Sequence, residues 1–228
     1  MVSVVENLQF VMNEIEIVRS KRQVAKNEPV TLIAVTKNHG VEMMQQAIDA
    51  GVENIGENRI QEAAEKFKSL NREVTRHLIG HLQTNKAKQA VRLFDLIHSV
   101  DSENLAAAVD KAAFSIGKIQ DVLVQVNLAK EETKSGVYEE NLQSLIAVID
   151  NLKNIRLRGF MLIAPNYSDV ENCRPLFRRM YEIFGEVRKA RQNFDFLSMG
   201  MTHDYKVAIE EGANLVRIGT AIFGERNY

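Results

Sequence analysis

Lys37 closes the run "LIAVTK" (32–37), in which four apolar residues in five lead straight into a cation. At the end of an apolar strand a primary amine can be partly desolvated, which lowers its pKa and lets it condense with a carbonyl carbon. A second cation, Arg217, sits inside the apolar run "NLVRIG" (214–219). In an extended strand Val216 and Ile218 share one face, and Leu215, Arg217 and Gly219 the other. With the branched pair turned toward covering helices, Arg217 points inward, where a charge is costly unless something pairs with it. Two readings are open: an internal ion pair with a glutamate such as Glu57, or contact with a ligand. A third group is small and polar. "SMGMT" (198–202) and "GTA" (219–221) offer Ser198, Thr202, Gly219 and Thr220 with several backbone N–H groups. That composition suits a phosphate, although Ser and Thr also cap helices routinely. An amine, a phosphate cup and an inward arginine fit pyridoxal 5′-phosphate (PLP). A class I aldolase also needs an amine and a phosphate site, so these residue types do not decide between them.

Such groups need a frame that carries them to one place. Eight apolar segments, at 31–36, 53–57, 76–80, 95–100, 121–127, 155–162, 196–200 and 214–219, alternate with helix patterns. Leu142, Leu145, Ile146 and Ile149 share one helix face, as do Leu176, Phe177, Met180, Ile183, Phe184 and Val187. Leu8, Val11, Met12, Ile15 and Val18 form a further stripe near the N-terminus. "AIDAGVENIGE" and "AIEEGANLVRIG" echo each other, each ending a helix at a glycine, Gly51 or Gly212, just before a strand. Strand–helix alternation implies parallel strands with crossover helices. Eight such units in 228 residues predict a single (β/α)8 barrel over 1–228, with an open doubly wound sheet as the alternative. Nine residues follow the eighth strand, too few for a full outer helix, so the N-terminal helix within 1–26 is expected to pack on the barrel and fill that place. In such a barrel the chemistry sits at the carboxyl ends of the strands, where Lys37, Asn58, His81, Gln83 and the two polar groups above all fall.

Composition narrows the remaining classes. Hydrophobic residues make up 45% and charged residues 26%, enough for a sizeable core. A formal net charge of -1 argues for neither nucleic-acid nor membrane partners. The N-terminus shows no leader composition, no run approaches a membrane span, and a cytoplasmic location is expected. With one cysteine, Cys173, no intramolecular disulfide can form. His77 and His81 lack a third ligand, so no metal site is expected. The basic cluster Arg178, Arg179, Arg188, Lys189 and Arg191 is interleaved with Glu182 and Glu186 and reads as a solvated helix face.

Taken in order, "AVTK", "GENRIQE", "HLIGHLQTNK", "TKSGV", "GFMLIAP", "LSMGMTHD" and "VRIGTAIFG" resemble the YggS/PROSC family of pyridoxal phosphate homeostasis proteins, across nearly the whole chain. The resemblance implies a fold like the N-terminal domain of alanine racemase (PLP fold type III) and a role in vitamin B6 homeostasis. It implies that Lys37 forms a Schiff base with PLP and that Asn58 lies against the cofactor. Ser198, Met199, Gly219 and Thr220 match the phosphate positions, and Arg217 the arginine facing the pyridine nitrogen. Two departures are visible: Gly40 in the turn after the lysine, where a proline is common, and Thr202 where a serine is usual.

Arginine only donates hydrogen bonds, so a ring nitrogen facing Arg217 stays unprotonated and makes a poor electron sink. Racemases of the alanine type tolerate this, but the resemblance implies that they need a tyrosine base from a further β domain. The sequence runs to Tyr228, and no such domain is expected. The expectation is therefore a monomeric PLP carrier with no catalytic residue, which hands the cofactor to apo-enzymes. The alternative is a PLP-dependent enzyme of the amino-acid racemase type, with His81, His203 or Tyr205 as the base.

Overall fold

The apolar segments become β1 (Thr31–Val35), β2 (Asn54–Glu57), β3 (Thr75–Leu78), β4 (Leu96–Val100), β5 (Gln120–Val126), β6 (Ile155–Leu162), β7 (Phe196–Met201) and β8 (Leu215–Ile218). The structure is a computed structural model that describes residues 3–225; Met1, Val2 and 226–228, Tyr228 included, lie outside the described residues. Every strand pairs in parallel with the next, and β8 returns to β1 through Leu32↔Val216 and Ala34↔Ile218. The sheet is a closed barrel, which excludes the open alternative. Strand bounds fall within two residues of those read from the apolar runs.

Side-chain alternation sorts each strand into an inner and an outer set. Ile33, Leu96, Leu123, Met161 and Leu215 come from five strands and pack together inside the barrel. Their neighbours Ala34, Ile97, Val122 and Val216 face outward into the main core, beneath the helices. The helices are α1 (Val4–Lys21), α2 (Val41–Asp49), α3 (Ile60–Lys68), α4 (Ala87–Leu93), α5 (Glu103–Phe114), α6 (Glu139–Asp150), α7 (Arg174–Lys189), α8 (Tyr205–Glu210) and α9 (Thr220–Phe223). The two echoed sequences form the same cap. The N–H of Val52 reaches Ala47 O and that of Gly51 reaches Ile48 O; Ala213 and Gly212 repeat this on Ala208 O and Ile209 O. Gly51 and Gly212 adopt φ of 104° and 98°, which a side chain would resist.

Because α9 has only four residues, the ring of helices would be open after β8. α1 closes it by packing against α8, α9 and α2. Asn7 Nδ2 donates to Ile222 O at 3.0 Å, and Lys206 pairs with Glu14. A capping box starts the helix: Ser3 Oγ accepts from the N–H of Glu6, and Glu6 Oε2 from the N–H of Ser3. The buried stripe is Val4, Leu8, Val11 and Ile15. Met12, expected on that stripe, is instead exposed, because four residues on from Leu8 the helix has turned it away from Val4 and Val11.

Candidate functional site at the barrel mouth

Lys37 continues the inward parity of Ile33 and Val35 beyond the end of β1, which carries it to the carboxyl-end mouth, half-buried. Asn58 stands one residue past β2, also half-buried, with its backbone packed against Gly80. Gly219 follows β8 beside Val35, so the ends of β8, β1 and β2 meet around Lys37.

Arg217 points into the barrel, as strand parity requires, and is 3% exposed. Among the described residues no carboxylate lies within ion-pair distance of it, and Glu57, the glutamate considered for that role, faces outward to Lys66 of α3. Arg217 instead donates to Ser198 Oγ at 2.6 Å and to Leu162 O at 3.0 Å. Burial pushes its pKa down to about 10, opposed by the negative charge of Asp204, so the guanidinium remains a donor at neutral pH.

A hydrogen-bonded chain continues from Ser198 through the interior. Ser198 Oγ lies 3.0 Å from His98 Nδ1, His98 Nε2 lies 3.0 Å from His77 Nδ1, and His77 Nε2 lies 3.0 Å from Asn54 Oδ1. Arg217 can only donate at one end and Asn54 Oδ1 can only accept at the other, so one direction satisfies every group. Ser198 donates to His98, His98 through Nε2–H to His77, and His77 through Nε2–H to Asn54. Both rings are held neutral: burial lowers the pKa of His77 to about 3, and burial with the adjacent His77 and Arg217 lowers that of His98 well below the usual imidazole value.

Ser198, which the resemblance matches to a phosphate position, has its hydroxyl in this chain of bonds. Its hydroxyl is fully buried, accepts from Arg217 and lies against His98, so it braces the arginine. Met199 turns its side chain out into the main core, which leaves only its backbone for a ligand. The mouth keeps Thr202, Gly219 and Thr220, all accessible, and Thr202 Oγ1 accepts the N–H of Gly219 at 3.3 Å, tying the loops after β7 and β8 together.

On the other side of the mouth a cavity of about 230 Å³ is lined by Asn58, His81, Gln125, Asn127, Lys134 and Ser135 among others. The segment "TKSGV" folds back onto β5: Val137 N–H donates to Gln125 O, and Asn127 N–H to Val137 O. That puts Lys134 and Ser135 beside Asn58. Spacing alone did not mark them as site residues; their place in the loop after a barrel strand was the available signal. His81 Nδ1 lies 3.0 Å from Ser135 Oγ. Of the other bases considered, His203 is exposed near Tyr167 O and Tyr205 is buried against Gly200. Cys173 is buried, and burial pushes its thiol up to about 11, so it is a poor nucleophile at neutral pH. Among the described residues no group of His, Cys, Asp or Glu could hold a metal ion.

A closed parallel barrel of eight strands ringed by helices is the fold of the alanine racemase N-terminal domain, and the family model so described matches residues 16–227. A pyridoxal phosphate homeostasis protein of Aquifex aeolicus is 43% identical over 199 residues, covering 86% of this chain and 87% of that protein. PipY of Synechococcus elongatus, solved with PLP bound, superposes with a TM-score of 0.85 at 34% identity, covering 97% of this chain and 100% of PipY. Alanine racemase of Clostridium difficile shares the fold, with a TM-score of 0.74 at 17% identity, and 61% of its chain is covered against 98% of this one. The chain belongs to the pyridoxal phosphate homeostasis protein family.

Proposed function

We propose that this chain binds PLP at the barrel mouth through Lys37 and serves PLP homeostasis as a carrier that hands the cofactor to apo-enzymes. The observation that carries the reading is Arg217. It is buried, has no carboxylate partner among the described residues, and makes two hydrogen bonds to protein, leaving three of its five N–H donors for a neutral acceptor. A buried group that can only donate suits an unprotonated pyridine nitrogen. The donor set also fits the rest of the cofactor. Lys37 offers a primary amine, Asn58 lies beside it, and Gly219, Thr220 and Thr202 offer N–H and hydroxyl groups to a phosphate, with the Met199 backbone adjoining.

When bound, PLP supplies an aldehyde carbon to which a lysine nitrogen bonds, the aldehyde oxygen leaving as water with both amine hydrogens. The protein's part is to present Lys37 Nζ, to donate from Arg217 without giving up a proton, and to anchor the phosphate. Arg217 keeps the ring nitrogen from becoming a strong electron sink, which favours holding the cofactor over carbanion chemistry. Lys37 would regain its amine when an incoming amine takes over the bond to that carbon, which would let the cofactor pass on. The same reading takes the carrier to act as a cytoplasmic monomer. No helix among the described residues is long and apolar enough to cross a membrane.

The test is a visible spectrum with borohydride reduction and peptide mapping, on the wild type and on Lys37→Ala. The wild type is expected to be coloured and to carry the reduced adduct on Lys37. A colourless wild type that PLP does not reconstitute overturns the reading. Sustained racemisation or transamination at ordinary enzyme rates would overturn the carrier role alone.

A further inference from the structure

We infer that the buried network of Glu57, Lys66 and Glu62 is a positioning device for Lys37, holding the backbone on both sides of it so that its amine meets an incoming aldehyde. This rests on the reading of Lys37 given above.

Strand parity creates the arrangement. Lys37 and Asn58 turn to the mouth, so Thr36 and Glu57 turn outward under α3. α3 delivers Lys66 to the same spot. Its Nζ donates to Thr36 O at 2.7 Å, to Glu57 Oε1 at 2.8 Å and to Glu62 Oε1 at 2.5 Å, which uses all three N–H bonds. Thr36 Oγ1 donates to Glu57 Oε1 at 2.7 Å, and the N–H of Asn38 donates to Glu62 Oε1 at 2.5 Å. The residue before Lys37 is thus held by its carbonyl and its hydroxyl, and the residue after it by its N–H. Between them the chain makes a tight turn, with His39 N–H on Thr36 O and Asn38 in the left-handed region at φ 62°.

Stability is a weak explanation for these charges. Glu57 is 0% and Lys66 8% exposed, and Glu57 Oε2 is buried with no hydrogen-bond partner. Desolvation largely cancels the attraction in a buried ion pair, and apolar replacements are often as stable. What the ions provide, and apolar side chains do not, is directed bonds to chosen backbone atoms. Those atoms bracket one residue. Glu57, Lys66 and Glu62 lie behind the strand ends and act through the backbone, so they are positioning residues and not catalytic ones.

The test separates positioning from folding by using two ligands with the full-length chain. PLP can be captured covalently at Lys37 and scored by borohydride trapping. Pyridoxine 5′-phosphate has the same ring and phosphate with an alcohol in place of the aldehyde, so it reports noncovalent binding only. In Glu62→Ala, and in the double variant Glu57→Leu/Lys66→Met, capture at Lys37 is expected to slow about tenfold or more, because small displacements of a reacting group are costly. Binding of the alcohol is expected to change by less than about twofold, since its contacts are untouched. Glu62→Gln keeps an acceptor for the Asn38 N–H and is expected to recover most of the rate. Capture at the wild-type rate in the folded variants overturns the inference, as does an equal loss for both ligands. If the double variant does not fold, Glu62→Ala decides alone, since Glu62 is only half-buried. Absence of capture at Lys37 in the wild type overturns the reading of Lys37 and this inference with it.

Discussion

A hydroxyl four residues nearer the strand start can belong to a different task from its neighbour. Ser198 and Thr202 sit in one short motif, yet Ser198 is bonded to Arg217 and His98 inside the barrel, and Thr202 joins Gly219 at the mouth. The two should therefore fail differently. Ser198→Ala leaves His98 Nδ1 without its donor and removes an acceptor from Arg217, so unfolding free energy should fall by about 1–3 kcal/mol. Thr202→Val should leave stability within about 1 kcal/mol and weaken PLP binding, because its hydroxyl is half-exposed and removal leaves no buried orphan. Urea unfolding and PLP titration of both variants check this. Equal effects of both on PLP affinity, with no stability difference, would show that the Ser198 hydroxyl serves the phosphate.

Among the elements, β6 and α1 carry the demands that are easiest to break. Gly159 lies in β6 at φ 152°, beside the register shift with β5, and a Cβ there would fall 1.8 Å from Phe196 O. Neither atom can give way without moving β7, so Gly159→Ala should destabilise by about 3 kcal/mol or more. A thermal shift of less than about 2 °C would contradict that geometry. α1 is needed because the short α9 cannot cover β8 and β1. Leu8 is fully buried in that contact, and Leu8→Ala should cost about 2–4 kcal/mol, measured by the same unfolding curves. The loss should exceed that of Met12→Ala, whose side chain is exposed.

For the whole molecule, the two neutral interior histidines make stability depend on pH. His77 titrates near 3 when folded against 6.5 for a free imidazole, and His98 is lowered in the same direction by burial, His77 and Arg217. The unfolded chain therefore binds more protons than the folded one between these values. The contribution is fully present above about pH 6.5 and is lost as pH falls toward 3. Each ring should add up to about 1.4 kcal/mol per pH unit to the slope of unfolding free energy over that window. Urea curves at pH 7, 6 and 5 measure it. A flat profile would show that the rings are not held neutral. His77→Gln should remove about half of the slope.

The amino-acid sequence alone determined the eight strands, their parallel order and the mouth position of Lys37, because periods of 2 and 3.6 are local and survive in any one segment. The same parity turned Arg217 inward. It could not name what Arg217 would meet, and left Glu57 as a partner. The barrel decided that by placing Glu57 on the outer face and Ser198 on the inner one. Contacts such as His98 to Ser198 join residues 100 apart, and Lys66 reaches Thr36 across 30. No spacing rule encodes such pairs, because they depend on how a closed sheet brings distant strands to one axis and which helix then covers them. Met12 sits at the edge of its stripe and is exposed, since the neighbouring helices set how much of that stripe is covered. The chemistry-bearing residue types were legible one strand at a time. Which of them share a site was settled only when the ring closed.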